Sequence, residues 1–232
     1  MAGQTASLSW RDGIPVSRRF DDPYFSLQGG LEEARHVFLA GNGLPGRFRP
    51  GFRVLELGFG TGLSFLATLR AHREAGSPGP LLYTSLEAFP MAPEDRERAL
   101  AAFSGLAAEA AEVAAALARP GPWAFGEVTL DVLEGDARDT LPAWGGRADA
   151  AFLDGFSPAR NPEMWEPDLL AAVAALILGL PDHVSVGDAL HVAGAAGRLT
   201  PIDFTFDLNQ TYTFWSGLLG GLFLMLSYFG CD

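Results

Sequence analysis

One stretch decides the fold, and it reads Arg53-Val-Leu-Glu-Leu-Gly-Phe-Gly-Thr-Gly-Leu63. A short apolar run that ends in an acidic residue is followed by three glycines at alternate positions. Glycine adopts backbone angles that other residues avoid and lets the chain pass close to a ligand, and a helix that starts beyond it offers free N–H groups. The stretch therefore predicts a nucleotide-cofactor loop at the first strand–helix junction of an α/β sheet.

The glycine spacing separates two classes of cofactor. A dinucleotide-binding loop has the pattern G-x-G-x-x-G, whereas Gly58, Gly60 and Gly62 give G-x-G-x-G with Glu56 just before them. A carboxylate at that place repels a pyrophosphate but suits a ligand that carries an amino group and a sulfonium. We therefore predict S-adenosylmethionine, although the glycine pattern alone fits an ordinary tight turn equally well.

Other acidic residues strengthen this prediction. Three further apolar runs end in acids at turns: residues 81–86 before Glu87, residues 128–133 before Glu134 and Asp136, and residues 148–153 before Asp154. An acid at the tip of the second strand is the usual clamp for ribose hydroxyls, and Asp136 is placed to accept a hydrogen bond from an adenine amino group. Since ligands of open parallel sheets lie outside the carboxyl ends of the strands, four acidic strand ends predict a binding site.

Composition bounds the class of protein. With 232 residues, the chain is long enough for one α/β domain with a sizeable core. The net charge of −12 predicts no broad attraction to nucleic acid, so a nucleic-acid substrate would need a local basic patch. The single Cys231 excludes an internal disulfide and, with no signal-peptide pattern at the N-terminus, favours the cytoplasm.

Two segments outside the strands are predicted to be structural. Residues 1–50 precede the first strand and are expected to form a packing cap, although the aromatic residues there and Asn42 could close over a ligand. Residues 93–117 are alanine-rich and predict a surface helix that ends before the Pro-Gly-Pro of residues 120–122.

Residues from about 10 to 175 resemble the methyltransferase domain of the MnmC family, which modifies the wobble uridine of bacterial tRNA. Ser64, Ser157 and Arg160 stand where that family usually has Asn, Ala and Lys. The resemblance is carried by Asp12-Gly-Ile-Pro-Val-Ser17, Phe20-Asp-Asp-Pro-Tyr-Phe-Ser26, Gly30-Leu-Glu-Glu33 with Val37-Phe-Leu39, Glu56-Leu-Gly-Phe-Gly-Thr-Gly-Leu-Ser-Phe-Leu66 and, most specifically, Phe152-Leu-Asp-Gly-Phe-Ser-Pro-Ala-Arg-Asn-Pro-Glu-Met-Trp165.

This resemblance implies a Rossmann-like class I methyltransferase. The reaction it implies is transfer of a methyl group from S-adenosylmethionine to the exocyclic amine of 5-aminomethyl-2-thiouridine at the tRNA wobble position. The residues implied to hold the cofactor are Glu56, Gly58, Gly60 and Gly62 at the methionine part, Glu87 at the ribose and Asp136 at the adenine end.

The resemblance and the chemistry together indicate a catalytic residue and a substrate loop. Asp154 is expected to accept a hydrogen bond from the neutral amine and to take up the developing positive charge. Pro158 and Asn161 are expected to shape a rigid loop over the base. Phe156 and Trp165 are candidates for stacking on it, although a buried tryptophan is more often part of a core.

The C-terminal part departs from this pattern. Residues 176–232 resemble an internal piece of a sodium/solute symporter, and residues 208–231 carry no charge over nearly the length needed to span a bilayer. The sequence therefore predicts a methyltransferase domain over residues 1–175, truncated after the fourth strand, joined to an apolar helical tail that could contact a membrane. Truncation would leave the fourth strand as an exposed sheet edge.

Three functions remain open at this point: the tRNA methyltransferase, a small-molecule methyltransferase with the same cofactor, and a non-functional chimera with a transporter fragment. MnmC proteins often carry a second, flavin-dependent oxidase domain, for which this chain has no room, so no flavin is predicted. No metal is predicted either, because His183 and His191 lack a third ligand.

Overall fold

The computed structural model describes residues 5–26 and 29–178. It begins with a small antiparallel sheet made of β1 (Leu8–Arg11), β2 (Ile14–Ser17) and β3 (Asp22–Pro23). The strand β2 is buried along its whole length, and the backbone N–H of Ala6 donates to the carbonyl of Pro90. The first residues that the structure describes are therefore packed onto the rest of the domain.

A five-stranded sheet forms the centre of the molecule. Its strands are β4 (Phe52–Leu57), β5 (Leu81–Glu87), β6 (Trp123–Phe125), β7 (Val128–Glu134) and β8 (Ala150–Leu153). They lie in the order β6-β7-β5-β4-β8, in which β7, β5, β4 and β8 are parallel and β6 pairs antiparallel with β7. The chain direction across the sheet reverses at β4, so the boundary between β4 and β8 is the switch point where ligands bind in open α/β sheets.

Helices cover both faces of this sheet. They are α1 (Gly30–Ala34), which continues as π-helical Arg35–Leu39, then α2 (Leu63–Glu74), α3 (Pro93–Leu100), α4 (Ala107–Leu117), α5 (Ala137–Trp144) and α6 (Pro167–Leu178). The predicted helix over residues 93–117 is thus two helices, bent by 116° at the break. Phe103 lies in that break and packs edge-on against Phe25, with ring centroids 5.1 Å apart.

Alternation along the strands separates two hydrophobic cores, because successive side chains of a strand point to opposite faces. Phe52 and Val54 join the core under α1, α2 and α4. Leu55 and Leu57 join the core under α5 and α6. Burial on both faces explains why β8 is apolar at every position.

The fourth strand, β8, is an edge strand among the described residues, as expected, but both of its faces are covered. Every residue of β8 is buried, and the Phe152 ring stacks on Phe38 with centroids 5.3 Å apart. The side chains of Asn42 and Arg47 donate hydrogen bonds to the carbonyls of Ala151 (3.4 Å) and Asp149 (2.9 Å). Within the described residues β8 pairs only with β4, and the segment that precedes the sheet packs against it.

Candidate active site

A cavity of about 190 Å³ lies at the carboxyl ends of the parallel strands. The loops that follow β4, β5, β7 and β8 form its floor and one wall. The opposite wall comes from residues 19–26 and from α1 with its π-helical continuation. The cavity is therefore at the switch point, and the segment expected to be a packing cap is part of it.

The glycine loop after β4 is shaped by two close approaches. Gly58 has a φ of 96°, and a Cβ atom there would lie 2.5 Å from the carbonyl oxygen of Asp154. Gly60 has a φ of 51°, and a Cβ atom there would lie 3.2 Å from the ring of Tyr24. Both glycines line the cavity, whereas Gly62 is the residue that caps α2 and does not line it. The loop is thus a backbone surface that side chains would fill.

Glu87 at the end of β5 is bonded to this loop. One carboxylate oxygen accepts from the backbone N–H of Gly60 (2.8 Å) and the other from that of Phe89 (2.7 Å). A carboxylate has about four acceptor positions, so two stay available to hydroxyl donors in the cavity that Glu87 lines. Its predicted role at a ribose stays a prediction with a suitable geometry.

Asp136 follows β7 and caps α5. Its carboxylate accepts from the backbone N–H of Arg138 (2.9 Å) and pairs with the guanidinium of the same residue (2.7 Å). The hydrogen bond from the Arg138 side chain is the largest influence on the Asp136 carboxyl and lowers its pKa. Asp136 therefore presents a charged, partly exposed acceptor to the cavity, and its role at an adenine stays a prediction.

Glu56 lies in the core and not in the cavity lining, although its place just before the glycine loop predicted a contact with the cofactor. Its side chain is fully buried and does not line the cavity, and the hydroxyls of Tyr83 and Ser85 are the polar groups beside its carboxylate. Burial, with a smaller contribution from the charge of Asp154, raises its pKa well above the ordinary value. Glu56 lies one residue before the end of β4, opposite Ser85 and Phe152, and its predicted role at the methionine part of the cofactor stays a prediction.

Asp154 lies just beyond β8 and lines the cavity. The hydroxyl of Ser64 donates a 2.8 Å hydrogen bond to its carboxylate. Burial raises the pKa of Asp154 to about 7, the hydrogen bond from Ser64 opposes this rise, and the charges of Glu33 and Glu87 add to it. A carboxyl group with a pKa near neutrality is suited to exchange a proton with a bound amine.

Three of the four predicted substrate residues line the cavity. They are Phe156, Asn161 and Trp165, whereas Pro158 lies outside the lining. The indole N–H of Trp165 donates to the carbonyl of Phe156 (2.8 Å). This bond fixes the loop after β8 and leaves the faces of the two rings to other contacts.

The sequence analysis left open that aromatic residues of the N-terminal segment close over a ligand, but it did not say which residues form this wall. Phe20 and Tyr24 lie against Phe156 with ring centroids 4.8 and 5.0 Å apart, and the Asp22 carboxylate accepts from the backbone N–H of Ser157 (2.8 Å). Glu33 of α1 also lines the cavity. The quoted motifs that start at Phe20 and Gly30 contain these residues, so the signal was present, but it carried no indication of which elements would meet.

Comparisons with known proteins agree with this geometry. A family described as S-adenosyl-L-methionine-dependent methyltransferase matches residues 109–179. The crystal structure of MNMC2 from Aquifex aeolicus is similar with a TM-score of 0.57 and 25% sequence identity, covering 76% of this chain and 57% of that one. Residues 109–179 thus match that methyltransferase family, and the fold is similar to that of the solved protein. The α/β fold with a central parallel sheet is thereby confirmed.

Curated relatives extend the similarity along the sequence. The tRNA 5-methylaminomethyl-2-thiouridine biosynthesis bifunctional protein MnmC of Leptospira borgpetersenii serovar Hardjo-bovis (strain JB197) is 43% identical over 175 residues, which is 70% of this chain. The protein of the same name from Pseudomonas aeruginosa (strain UCBPP-PA14) is 45% identical over 186 residues, or 75% of this chain. The chain spans 27% and 28% of the length of these two relatives.

The similarity of residues 176–232 to a sodium/solute symporter gains no support from these comparisons. Residues 179–232 lie outside the described residues, and so do Cys231, His183, His191 and the predicted membrane contact through residues 208–231. The helix α6 continues to Leu178, and the family match reaches residue 179, so both cross the predicted domain boundary at 175.

Two further properties concern only the described part of the chain. No single helix in residues 5–26 and 29–178 is long and apolar enough to cross a membrane, although the bent pair Pro93–Leu100 and Ser104–Leu117 passes by length and composition. In the same ranges, no group of three or more His, Cys, Asp or Glu side chains is arranged to hold a metal ion. The predicted absence of metal and flavin stays a prediction.

Proposed function

We propose that the protein transfers a methyl group from S-adenosylmethionine to the exocyclic aminomethyl nitrogen of wobble 5-aminomethyl-2-thiouridine in tRNA. One observation supports this most strongly: the glycine loop after β4 and the acidic end of β8 meet at one cavity, where Gly58 touches the backbone of Asp154. The names of the MnmC relatives supply the choice of base.

The residues present fit the cofactor. Gly58 and Gly60 leave backbone surface open at the switch point, where the methionine part would lie. Glu87 and Asp136 supply acceptors for ribose hydroxyls and an adenine amino group at the ends of neighbouring strands. Glu56 is buried and does not line the cavity, so this proposal gives it no direct contact with the cofactor. When bound, the cofactor supplies a methyl group activated by a sulfonium.

Catalysis in this proposal consists of positioning and of one proton transfer. Methyl transfer is an in-line displacement, so holding the amine in a near-attack geometry supplies much of the rate enhancement. The amine must be neutral when it attacks, and Asp154 would accept its proton and orient its lone pair. Phe20, Tyr24 and Phe156 form an aromatic wall on which the uridine base could stack.

Contact with tRNA would depend on local charge, because the chain as a whole is acidic. Arg138 and Arg160 near the cavity are each paired with an acid. Arg19 lines the cavity, lies over the ring of Phe89 at 4.7 Å and has no salt bridge within the described residues. We propose Arg19 as a phosphate or base contact, and the cytoplasm, where tRNA is modified, as the site of action.

The test uses labelled methyl transfer by the full chain. We expect incorporation into tRNA that carries 5-aminomethyl-2-thiouridine and none into the same tRNA without the aminomethyl group. Asp154→Ala should reduce the rate by about 10²- to 10⁴-fold and leave S-adenosylmethionine affinity largely unchanged. Asp168→Ala, at an exposed aspartate outside the cavity, is the control.

Three results would contradict the proposal in different ways. Transfer to small amines but not to tRNA would establish the small-molecule methyltransferase instead. Cofactor binding without transfer to any acceptor would favour the non-functional chimera. Equal loss of cofactor binding and of transfer in Asp154→Ala would make Asp154 a clamp for the cofactor rather than the catalytic residue.

A further inference from the structure

We propose that Glu33 is a second acidic residue of the acceptor site, which binds the substrate amine as an ammonium ion and pairs with the cationic product. This inference rests on the proposed function, because it assigns a residue to the acceptor nitrogen of that reaction. Its partner across the cavity is Asp154, which would take the proton.

The backbone places Glu33 at the wall opposite the strand ends. Its backbone N–H donates to the carbonyl of Gly29 (2.8 Å) in the first turn of α1. Gly30 lies so close to Phe25 that a Cβ atom would be 3.2 Å from that side chain. The start of the helix is therefore held against the N-terminal wall, and Glu33 lines the cavity while its neighbour Glu32 is exposed and lies outside it.

Of the described acids that line the cavity, Glu33 differs from the other partly buried ones in having no donor; Glu163 also lacks a donor, but it is exposed. No hydrogen bond or salt bridge engages the Glu33 carboxylate within residues 5–26 and 29–178. Four other acids of the lining each accept from a neighbouring donor, namely Asp22 from Ser157, Glu87 from Gly60, Asp136 from Arg138 and Asp154 from Ser64. A half-buried carboxylate without a donor is costly unless a cation joins it.

Electrostatics in the cavity match a cationic ligand. Burial raises the pKa of Glu33, and the negative charge of Glu33 helps to raise the pKa of Asp154. Besides burial, three groups change the pKa of Asp154: the hydroxyl of Ser64 from α2 lowers it, and the charges of Glu33 from α1 and Glu87 from β5 raise it. The charge of Asp154 in turn raises the pKa of the buried Glu56 of β4. An ammonium ion between Glu33 and Asp154 would offset this repulsion of like charges.

The reaction balances with these two residues. The substrate ammonium gives one proton to the Asp154 carboxylate and becomes a neutral amine. Its lone pair forms the N–C bond as the C–S bond to the methyl group breaks, and S-adenosylhomocysteine leaves as a neutral thioether. The product nitrogen then carries the positive charge, which the Glu33 carboxylate stabilises.

The experiment compares Glu33→Gln with Glu32→Gln, the same change at the adjacent exposed position. For the tRNA substrate we expect KM to rise about 10- to 100-fold in Glu33→Gln, with S-adenosylmethionine affinity unchanged. The acid limb of the pH–rate profile should move to lower pH, because the Glu33 charge no longer raises the pKa of Asp154. A purely structural role for Glu33 would not move that limb in this direction.

A second readout needs no tRNA. Sinefungin is an analogue of S-adenosylmethionine that carries a primary amine in place of the methyl-bearing sulfonium, and S-adenosylhomocysteine lacks that amine. By calorimetry, the preference for sinefungin over S-adenosylhomocysteine should fall in Glu33→Gln and stay at the wild-type value in Glu32→Gln. An unchanged preference in Glu33→Gln would overturn the inference. Absence of tRNA methylation by the wild-type protein would instead overturn the proposed function.

Discussion

Two acidic residues at the ends of neighbouring strands, Glu56 of β4 and Asp154 after β8, have opposite environments. Glu56 is opposite Phe152 in the ladder, one residue before the last paired position, and its side chain is enclosed between the sheet and the helices. Asp154 follows the last pair, Leu57 with Leu153, and reaches the cavity. A shift of two residues relative to the end of the ladder therefore separates a core acid from a site acid.

The difference shows why an acidic residue near a glycine loop is an ambiguous signal. Both acids have a raised pKa and both owe it first to burial. Asp154 accepts a hydrogen bond from Ser64 and has access to a ligand, whereas Glu56 faces the buried hydroxyls of Tyr83 and Ser85 and does not line the cavity. A raised pKa indicates a functional site when the group also faces a cavity, and Glu56 does not meet that condition.

The largest expected effect, on stability and on cofactor affinity, comes from a substitution that adds a methyl group between the ends of β4 and β8. In Gly58→Ala, a methyl group would meet the carbonyl of Asp154, which is backbone and cannot move aside alone. We expect the free energy of unfolding to fall by about 3 kcal/mol and S-adenosylmethionine affinity to fall with it. Chemical denaturation and calorimetry measure the two quantities.

The matched control for this substitution is Gly76→Ala. Gly76 also has a positive φ, 81°, but a Cβ atom there would meet nothing within 4 Å. We expect the free energy of unfolding of this control to fall by only about 1–2 kcal/mol, the cost of the backbone strain, with cofactor affinity unchanged. Equal behaviour of the two variants would show that the contact between Gly58 and Asp154 is not tight.

A smaller effect is expected from Glu56→Gln. Because the folded pKa of Glu56 is raised above its ordinary value of 4.5, the folded state retains a proton that the unfolded state releases. Wild-type stability should therefore fall as pH rises from about 4.5 towards the folded pKa. Glu56→Gln should remove this part of the pH dependence and be the more stable protein at pH 8.

Denaturation series between acidic and alkaline pH measure this difference, with Glu134→Gln at an exposed strand end as the control. Cofactor affinity should change little in Glu56→Gln. A large loss of affinity with an unaltered pH dependence would mean that Glu56 contacts the ligand directly, and the contrast with Asp154 would then be false.

The smallest expected effect concerns the hydroxyl group of Ser64, which donates a hydrogen bond to Asp154. Ser64→Ala removes the donor that lowers the pKa of Asp154, so the pKa should rise above about 7. The acid limb of the pH–rate profile should therefore move to higher pH, with little change in the maximal rate. Ser64→Asn, which restores a donor, should return the limb towards the wild-type position; no shift in Ser64→Ala would exclude this role.

The sheet and one side of the site could be predicted from the sequence. Apolar runs that end in Glu87, Asp136 and Asp154 predict parallel strands, and parallel strands bring their carboxyl ends to one edge. The short strand β6 was missed, because three residues carry too little alternation to identify a strand. The break between α3 and α4 was missed because it depends on the contact of Phe103 with Phe25, which is tertiary.

The other side of the site could not be predicted by the same rules. Periodicity identifies which residues of the N-terminal segment are apolar, but it does not tell that Phe20 and Tyr24 face Phe156 rather than the core. The depth of Glu56 also depends on where β4 stops pairing, and strand ends are the least certain part of a sequence-based assignment.

The bond between the Asp22 carboxylate and the Ser157 N–H joins positions 135 residues apart. Contacts of such separation carry a large loop-closure entropy, and chains rich in them fold slowly. The wall formed by residues 19–26 is therefore expected to close after the sheet has formed, when the loop after β8 is available to bind it. During synthesis, the N-terminal residues would leave the ribosome first and reach their place among the last.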